Sequence, residues 1–318
     1  MMRILKFGGK SLADCEKVKN ICEYIKQIYK KDKQLIIVVS AQGKTTDNLL
    51  NLAKEYSDAE INKRELDVLL STGETISSAL FAMMLTKLNV PAKSFQGFQL
   101  EISTFGDYGN SKIAYINKSL INDCLQKNIV AVVSGFQGIN KSSEITTLGR
   151  GGSDTTAAAL GAIYEKDIEV YSDFDGIFSG DPRILDYKKI KKIDYKSMIT
   201  LSKDGAKVMD EKATILAQKF NFKIFAKSAG HPKLIGTEIS NVENDNIAIA
   251  LQNNLCEISI VFSNPAKLKN IAKNVVFVLN KYKFYNLNIK NDEIKFVVND
   301  SDKNNILYEL SNKLHLIK

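Results

Sequence analysis

The apolar run MRILKF (2–7) ends abruptly in Gly8-Gly9, and a helical repeat of Val18, Ile21, Cys22, Ile25 and Ile28 follows. A second run, QLIIVV (34–39), passes into the loop SAQGKTTD and a helix that begins near Asp47. Uninterrupted apolar strands are needed when both faces of a sheet are covered, and parallel neighbours need helical crossovers. The alternation of strand, glycine turn, helix, strand, loop and helix therefore predicts a parallel α/β sheet. IVAVVS (129–134), IEVYS (168–172) and FKIFAK (222–227) extend it, with helices at 62–71, 74–88, 153–164 and 205–220.

A length of 318 residues allows about two domains. The polar stretch ISNVENDN (239–246) reads as a linker, after which the pattern changes. CEISIVF, a helix opened by Pro265, NLNIK, EIKFVVN, the helix DKNNILYELSNKL and a final HLIK give a βαββαβ order, the split βαβ arrangement. The expected division is 1–238, a linker at 239–249, and a small α+β module at 250–318.

The net charge of +8 raises nucleic-acid binding as a possibility. Lysine is spread along the chain, however, and its densest cluster, Lys188, Lys189, Lys191 and Lys192, has no aromatic platform; it reads as a solvated face. His231 and His315 offer no metal spacing. Cys15, Cys22, Cys124 and Cys256 form no CxxC pair and read as reduced core residues. The opening Met-Met-Arg runs straight into a strand pattern, and no run approaches the ~18–20 apolar residues of a membrane span. A cytoplasmic enzyme with no membrane and no nucleic-acid partner is expected.

Four segments carry candidate chemistry. In Lys6-Phe7-Gly8-Gly9-Lys10-Ser11, a lysine at the carboxyl end of a strand meets glycines whose N–H groups can approach an anion. It is no Walker A loop, since Ile4 stands where that motif needs glycine, and locally it also fits a plain strand-turn-helix connection. TTLGRGGSDTT (146–156) sets Arg150, a planar fork for a carboxylate, among glycines before a helix that Ser153 or Asp154 can cap. SDFDGIF (172–178) with Asp181-Pro182-Arg183 suits ribose, adenine or Mg2+, or simply an Asp/Gly turn. Glu74 reads as the opening of a helix, either receiving an ammonium group or answering the helix dipole.

Together KFGGKS (6–11), VVSAQGKTTDNLL (38–50), STGETIS (71–77), SGFQG (134–138), TTLGRGGSDTTA (146–157), YSDFDGIF (171–178) with DPR (181–183), and GAKVM (205–209) resemble the aspartate kinases of the amino-acid kinase family. The resemblance runs in order across residues 1 to about 237. It implies a three-layer sandwich around a mainly parallel sheet, followed by an ACT-like module. It also implies transfer of the γ-phosphoryl group of ATP to the β-carboxylate of L-aspartate, feeding lysine, threonine and methionine synthesis. By motif, Lys6 and Asp154 would be catalytic, and Ser40, Thr46, Glu74, Arg150 and Ser153 would hold aspartate. Lys6, Phe7, Gly8, Gly9, Ser172, Asp173, Phe178, Arg183, Lys207 and Val208 would line the nucleotide site. Mg2+ would be carried mainly by ATP oxygens and water, with no protein metal site. A homodimer or higher homo-oligomer is implied.

The chain departs from the family pattern at Lys10, usually Thr; at Thr75, usually Arg; and at Asp210, usually His. It has room for one ACT-like unit where two are common. Two alternatives share parts of the pattern: another member of the fold, such as glutamate 5-kinase or uridylate kinase, and a non-catalytic amino-acid-binding protein that senses through its tail.

Overall fold

The computed structural model describes residues 1–57, 61–206, 208–252 and 255–318. The first strand, Arg3–Phe7, pairs in parallel with Leu35–Val39 on one side and with Ile168–Ser172 on the other. Among the described residues the central sheet has eight strands, in the order Lys192–Asp194, Thr237–Ser240, Ile224–Ser228, Ile168–Ser172, Arg3–Phe7, Leu35–Val39, Val130–Ser134 and Ala92–Phe95. Thr237–Ser240 runs antiparallel to Ile224–Ser228, and every other pairing in this sheet is parallel. Alternation along the strands divides the core. Ile36, Val38, Ala131 and Val133 join one cluster, and Leu35, Ile37, Val39, Val130 and Val132 join the other. Both faces therefore need helical cover, as the unbroken apolar runs require.

Helix α1 (Cys15–Tyr29) is capped by Asp14, whose carboxylate accepts from the Lys17 N–H at 2.9 Å. It buries Val18, Ile21, Cys22, Ile25 and Ile28, the face its periodicity predicts. Cys22 and Cys124 are buried, whereas Cys15 is exposed at the start of α1 and is not a core residue. Helix α2 (Thr45–Glu55) begins two residues before Asp47. The two helices expected at 62–71 and 74–88 are one, α3 (Lys63–Lys87). Gly73 does not end it. Gly73 gives the helix room against the loop at Ala41, whose Cβ would lie 2.9 Å from an added methyl group. By length and composition α3 could cross a membrane, but it packs half-buried against the sheet through Phe81, Ala82 and Leu85.

After α4 (Ser119–Gln126), α5 (Gly152–Tyr164) lays Ala157, Ala158 and Leu160 on the opposite face of the sheet. The stretch read as one helix at 205–220 is mostly loop at its start: α6 (Tyr195–Lys203) precedes it and α7 (Glu211–Phe220) ends it. The long turn after Ser172 contains a hairpin, Ile177–Phe178 against Lys189–Ile190.

The C-terminal module differs from the expected order. The segment 239–249 is not a linker throughout, because Thr237–Ser240 reaches into it and Ile247–Gln252 starts within it. Ile247–Gln252 pairs antiparallel with Glu257–Phe262 and occupies the sheet position that HLIK was expected to fill. Helix α8 (Leu268–Leu279) and α9 (Lys303–Lys313) cover this antiparallel sheet, whose order is Ile247–Gln252, Glu257–Phe262, Glu293–Val298, Phe284–Ile289. Ile317 instead forms an isolated bridge to Tyr187, beside the hairpin of the N-terminal part.

A buried charge cluster joins the two parts. Asp204, just after α6, touches Lys295 of the module, and Lys295 Nζ lies 3.1 Å from Glu293 Oε1. Burial beside Glu293 holds the Asp204 carboxyl well above the ordinary range. An acid whose folded pKa is raised binds its proton more tightly when folded, so its contribution falls as pH rises from the ordinary Asp range, near 4, through the raised value. Asp204→Asn imitates the protonated form. Thermal melts over this interval are expected to show a flatter fall of Tm with pH in that variant than in the parent, and parallel slopes would contradict the assignment.

Candidate active site

Alternation along Arg3–Phe7 puts Lys6 on the face that α5 covers, at the carboxyl end of the sheet. Its ammonium lies 2.5 Å from Asp154 Oδ1, with side chains only 9% and 12% exposed. Asp154 Oδ1 has no well-angled hydrogen bond, so the contact is a bare charge pair in a poorly hydrated place. Removing one member of such a pair strands the other and typically costs about 3–5 kcal/mol.

The glycine loop is shaped by its neighbours. The Gly8 N–H donates to the Tyr171 carbonyl at 3.0 Å, and Gly9 opens a 3-10 turn, Gly9–Leu12. A Cβ at Gly9 would stand 2.4 Å from the Ala41 carbonyl oxygen, so that position needs glycine. Lys10 turns outward to Asp173, at 3.4 Å. The hydroxyl of Ser11 is buried without a partner.

Glu74 sits in the middle of α3 and does not open a helix, which removes the dipole explanation. Its Oε1 accepts from the Ala41 N–H at 2.9 Å, while Oε2 is buried and unpartnered. Burial raises this carboxyl to about 7, against the opposing pull of that N–H and of Lys6. Ser40 and Thr46 flank the same loop, both half-buried.

The glycine-rich loop enters α5 through two left-handed residues, Gly149 (φ 77°) and Gly151 (φ 71°). Neither Ser153 nor Asp154 caps α5 as expected. Gly151 takes the cap position without a side-chain bond, and both residues lie inside the first turn. Ser153 packs against Gly135, where a Cβ would come within 2.7 Å of the serine Cβ. Arg150 is exposed and makes no ion pair among the described residues. Its fork is open to a ligand.

One positioning residue escaped sequence reasoning, and a second was marked only as a departure from the family pattern. Buried Asp67 of α3 accepts from the Thr147 N–H and hydroxyl, both at 2.7 Å, and from the Gly109 N–H at 2.9 Å, anchoring the loop just before Gly149. Asp210 caps α7 through the Ala213 N–H and accepts from the Thr155 hydroxyl at 3.1 Å. Burial and the Asp154 charge raise its carboxyl. Neither contact leaves a local sequence signal, because each joins residues far apart in the chain.

A cavity of about 330 Å3 opens beside the glycine loop. Gly8, Gly9, Ser172, Asp173, Phe178, Arg183 and Val208 all line it. Phe7 does not; its ring is fully buried and stacks on Tyr171 at 4.8 Å, leaving only its backbone near a ligand. Lys207 lies outside the described residues. Arg183 is held by Asp181 and sits 5.6 Å from the Phe174 ring. The far wall belongs to the C-terminal module, through Ile249, Ala250, Leu251 and Leu307. Among the described residues no cluster of three His, Cys, Asp or Glu could hold a metal.

The model of the amino acid kinase family matches residues 1–227. The aspartokinase of Rickettsia felis is 37% identical over 312 residues, covering 95% of this chain and 78% of that protein. The aspartokinase of Geobacillus stearothermophilus is 41% identical over 228 residues, covering 71% and 56%. In three dimensions the chain is similar to E. coli aspartokinase III crystallised with aspartate and ADP, with a TM-score of 0.87 at 18% identity over 99% of this chain and 100% of that one.

Gly151→Ala meets two obstacles: a left-handed φ, costing about 1–3 kcal/mol, and Asp210 Oδ2 only 2.0 Å from the new carbon. In a double-mutant cycle with Asp210→Ala, chemical denaturation is expected to show a smaller penalty for Gly151→Ala once Asp210 is gone. Equal penalties in both backgrounds would mean that Asp210 does not press on this loop.

Proposed function

The chain belongs to the aspartokinases of the amino acid kinase family, and on that premise we propose that the Lys6–Asp154 junction is where the γ-phosphoryl group of ATP passes to the β-carboxylate of L-aspartate. The product is 4-phospho-L-aspartate, an acyl phosphate entering amino-acid biosynthesis. The observation that carries this placement is a buried cation standing between a nucleotide-sized cavity at Gly8-Gly9 and an unfilled carboxyl at Glu74.

Phosphoryl transfer through a loose transition state asks chiefly for alignment and for positive charge around the equatorial oxygens. Lys6 supplies that charge, and Asp154 holds it in place. The Gly8 and Gly9 backbone leaves room for the phosphates, while Ser172, Asp173, Phe178, Arg183 and Val208 surround the nucleoside. Arg150 grips the α-carboxylate of aspartate with its fork. Glu74 Oε2 receives the substrate ammonium, and Ser40, Thr46 and Ser153 complete the pocket. The attacking carboxylate is ionised at neutral pH, so no strong base is required.

Mg2+ neutralises phosphate oxygens when it is bound. The ion would be carried mainly by ATP oxygens and water, with Asp154 and Asp210 the carboxylates at hand. Phe284, Tyr285 and Ile289 are exposed on the outer strand of the module sheet, which supports pairing with a second copy in a homodimer. A cytoplasmic setting is part of the same reading.

A coupled ADP assay tests the transfer. ADP release is expected to require both L-aspartate and Mg2+, with neither glutamate nor UMP replacing aspartate, and Lys6→Ala is expected to lower kcat by about 10^3-fold or more. A well-folded parent protein without aspartate-dependent turnover would refute the reading.

Glu74 gives a second test. Only its ionised form pairs with the ammonium, so KM for aspartate is expected to fall as pH rises through about 7. Glu74→Gln is expected to raise KM and to remove this pH dependence. A Gln variant with the parent profile would place the ammonium elsewhere.

A further inference from the structure

We propose that the cleft between the 188–192 segment and the C-terminal module is a second anion site, built for a small polyphosphate and separate from the nucleotide cavity. The cleft has a volume of about 1030 Å3 and shares no lining residue with the nucleotide cavity. Lys188, Lys189, Lys191 and Lys192 line one wall, and Lys267 and Lys313 approach from the module. His315 adds a further donor, and Asp245 is the single carboxylate among the described lining residues.

The existing contacts leave much of this charge unanswered. Asp245 is taken up by Lys267, at 3.5 Å, and by the Asn264 amide, at 2.8 Å. Lys189 is held by Asp175 at 3.0 Å, and Lys188 donates to the His315 carbonyl at 2.9 Å, which neutralises nothing. Lys192 reaches Glu238 only at 3.7 Å. Lys313 rests over the Phe277 ring at 4.3 Å. Lys191 is exposed and has no partner among the described residues. Crowding like charges in a concave site raises the local potential and favours an anion.

The start of α8 adds to this. Lys267, Asn270, Ile271 and Asn274 lie on the face toward the cleft. The helix has no acidic residue in its first turn, while the 3-10 turn Pro265–Lys267 before it, capped by Asn264, takes up the Lys267 and Leu268 N–H groups, so the donors on this face are side chains and not the helix end. Two asparagine amides stand on that same face as donors.

The shape of the cleft selects the class of anion. Among the described lining residues there is no Phe, Tyr or Trp, and the single imidazole of His315 is no platform for the successive stacking on which single-stranded nucleic acid depends. Several flexible ammonium groups around one concavity match a short chain of phosphates, each a point charge. The site also touches the catalytic part, because Lys189 pairs in the hairpin with Phe178, which lines the nucleotide cavity.

Calorimetric titration of the full-length protein with inorganic tripolyphosphate tests this without reading turnover, so its outcome is independent of the assigned reaction. Lys6→Ala protein, with its nucleotide cradle weakened, is expected to retain one tripolyphosphate site. Adding Lys191→Glu or Lys313→Glu to it should weaken that site about tenfold or more, equivalent to 1.4 kcal/mol per factor of ten. Lys191→Arg should bind as the parent does, and unchanged thermal melts would show that the fold is intact. Arms with ADP and ATP report whether a nucleoside is accepted at the end of the phosphate chain. Equal affinity in the Glu variants would overturn the site. A single-stranded oligonucleotide that binds more tightly than tripolyphosphate would overturn it as well, in favour of an extended nucleic-acid face.

Discussion

The contact between Lys6 and Asp154 governs the rest of the molecule. A buried ammonium is tolerated only beside an opposite charge, and here the two come from elements far apart in sequence. The strand Arg3–Phe7 must lie beside Ile168–Ser172 and Leu35–Val39 for Lys6 to stand at the rim. The first turn of α5 must lie on that rim for Asp154 to meet it. Several glycines serve this one meeting. Gly9 lets the Ala41 loop close, Gly135 admits Ser153, and Gly151 turns the chain into α5 under Asp210. Arginine at position 6 would carry the same charge, but its broad planar head does not concentrate it at one point between phosphate oxygens.

Much of the architecture was legible because burial leaves a plain mark on a sequence. The unbroken runs at 34–39 and 129–134 could only be strands covered on both sides, and the repeat from Val18 to Ile28 could only be a helix with one apolar face. What was not legible depended on contacts between distant residues. Gly73 looks like a helix breaker until Ala41 is seen against it. Asp67 looks like a surface residue of an amphipathic helix until Thr147 and Gly109 are seen to donate to it. HLIK has the composition of a strand, but Ile247–Gln252 already holds the place beside Glu257–Phe262, and nothing local to HLIK reveals this.

The site divides in the same way. Lys6, Arg150 and Asp154 stand out as candidates because they are charged residues set beside glycines, and the structure brings Lys6 and Asp154 into contact while leaving Arg150 exposed. The expectation that Ser153 or Asp154 caps α5 failed because a left-handed Gly151 starts the helix two or three residues earlier and draws both into its first turn. Phe7 was taken with its motif neighbours, although strand alternation alone sends its ring into the core against Tyr171.

The hairpin that carries Phe178 is fastened from behind by the final residues. The Ser179 hydroxyl and the Lys188 N–H both donate to the Leu316 carbonyl, and the Tyr187 hydroxyl meets Ser311 at 2.9 Å. Neither Ser311 nor Leu316 lines the cavity, yet displacing either would pass to Phe178 through the hairpin they hold, so this stretch of the module acts as a mechanical brace for a cavity it does not touch.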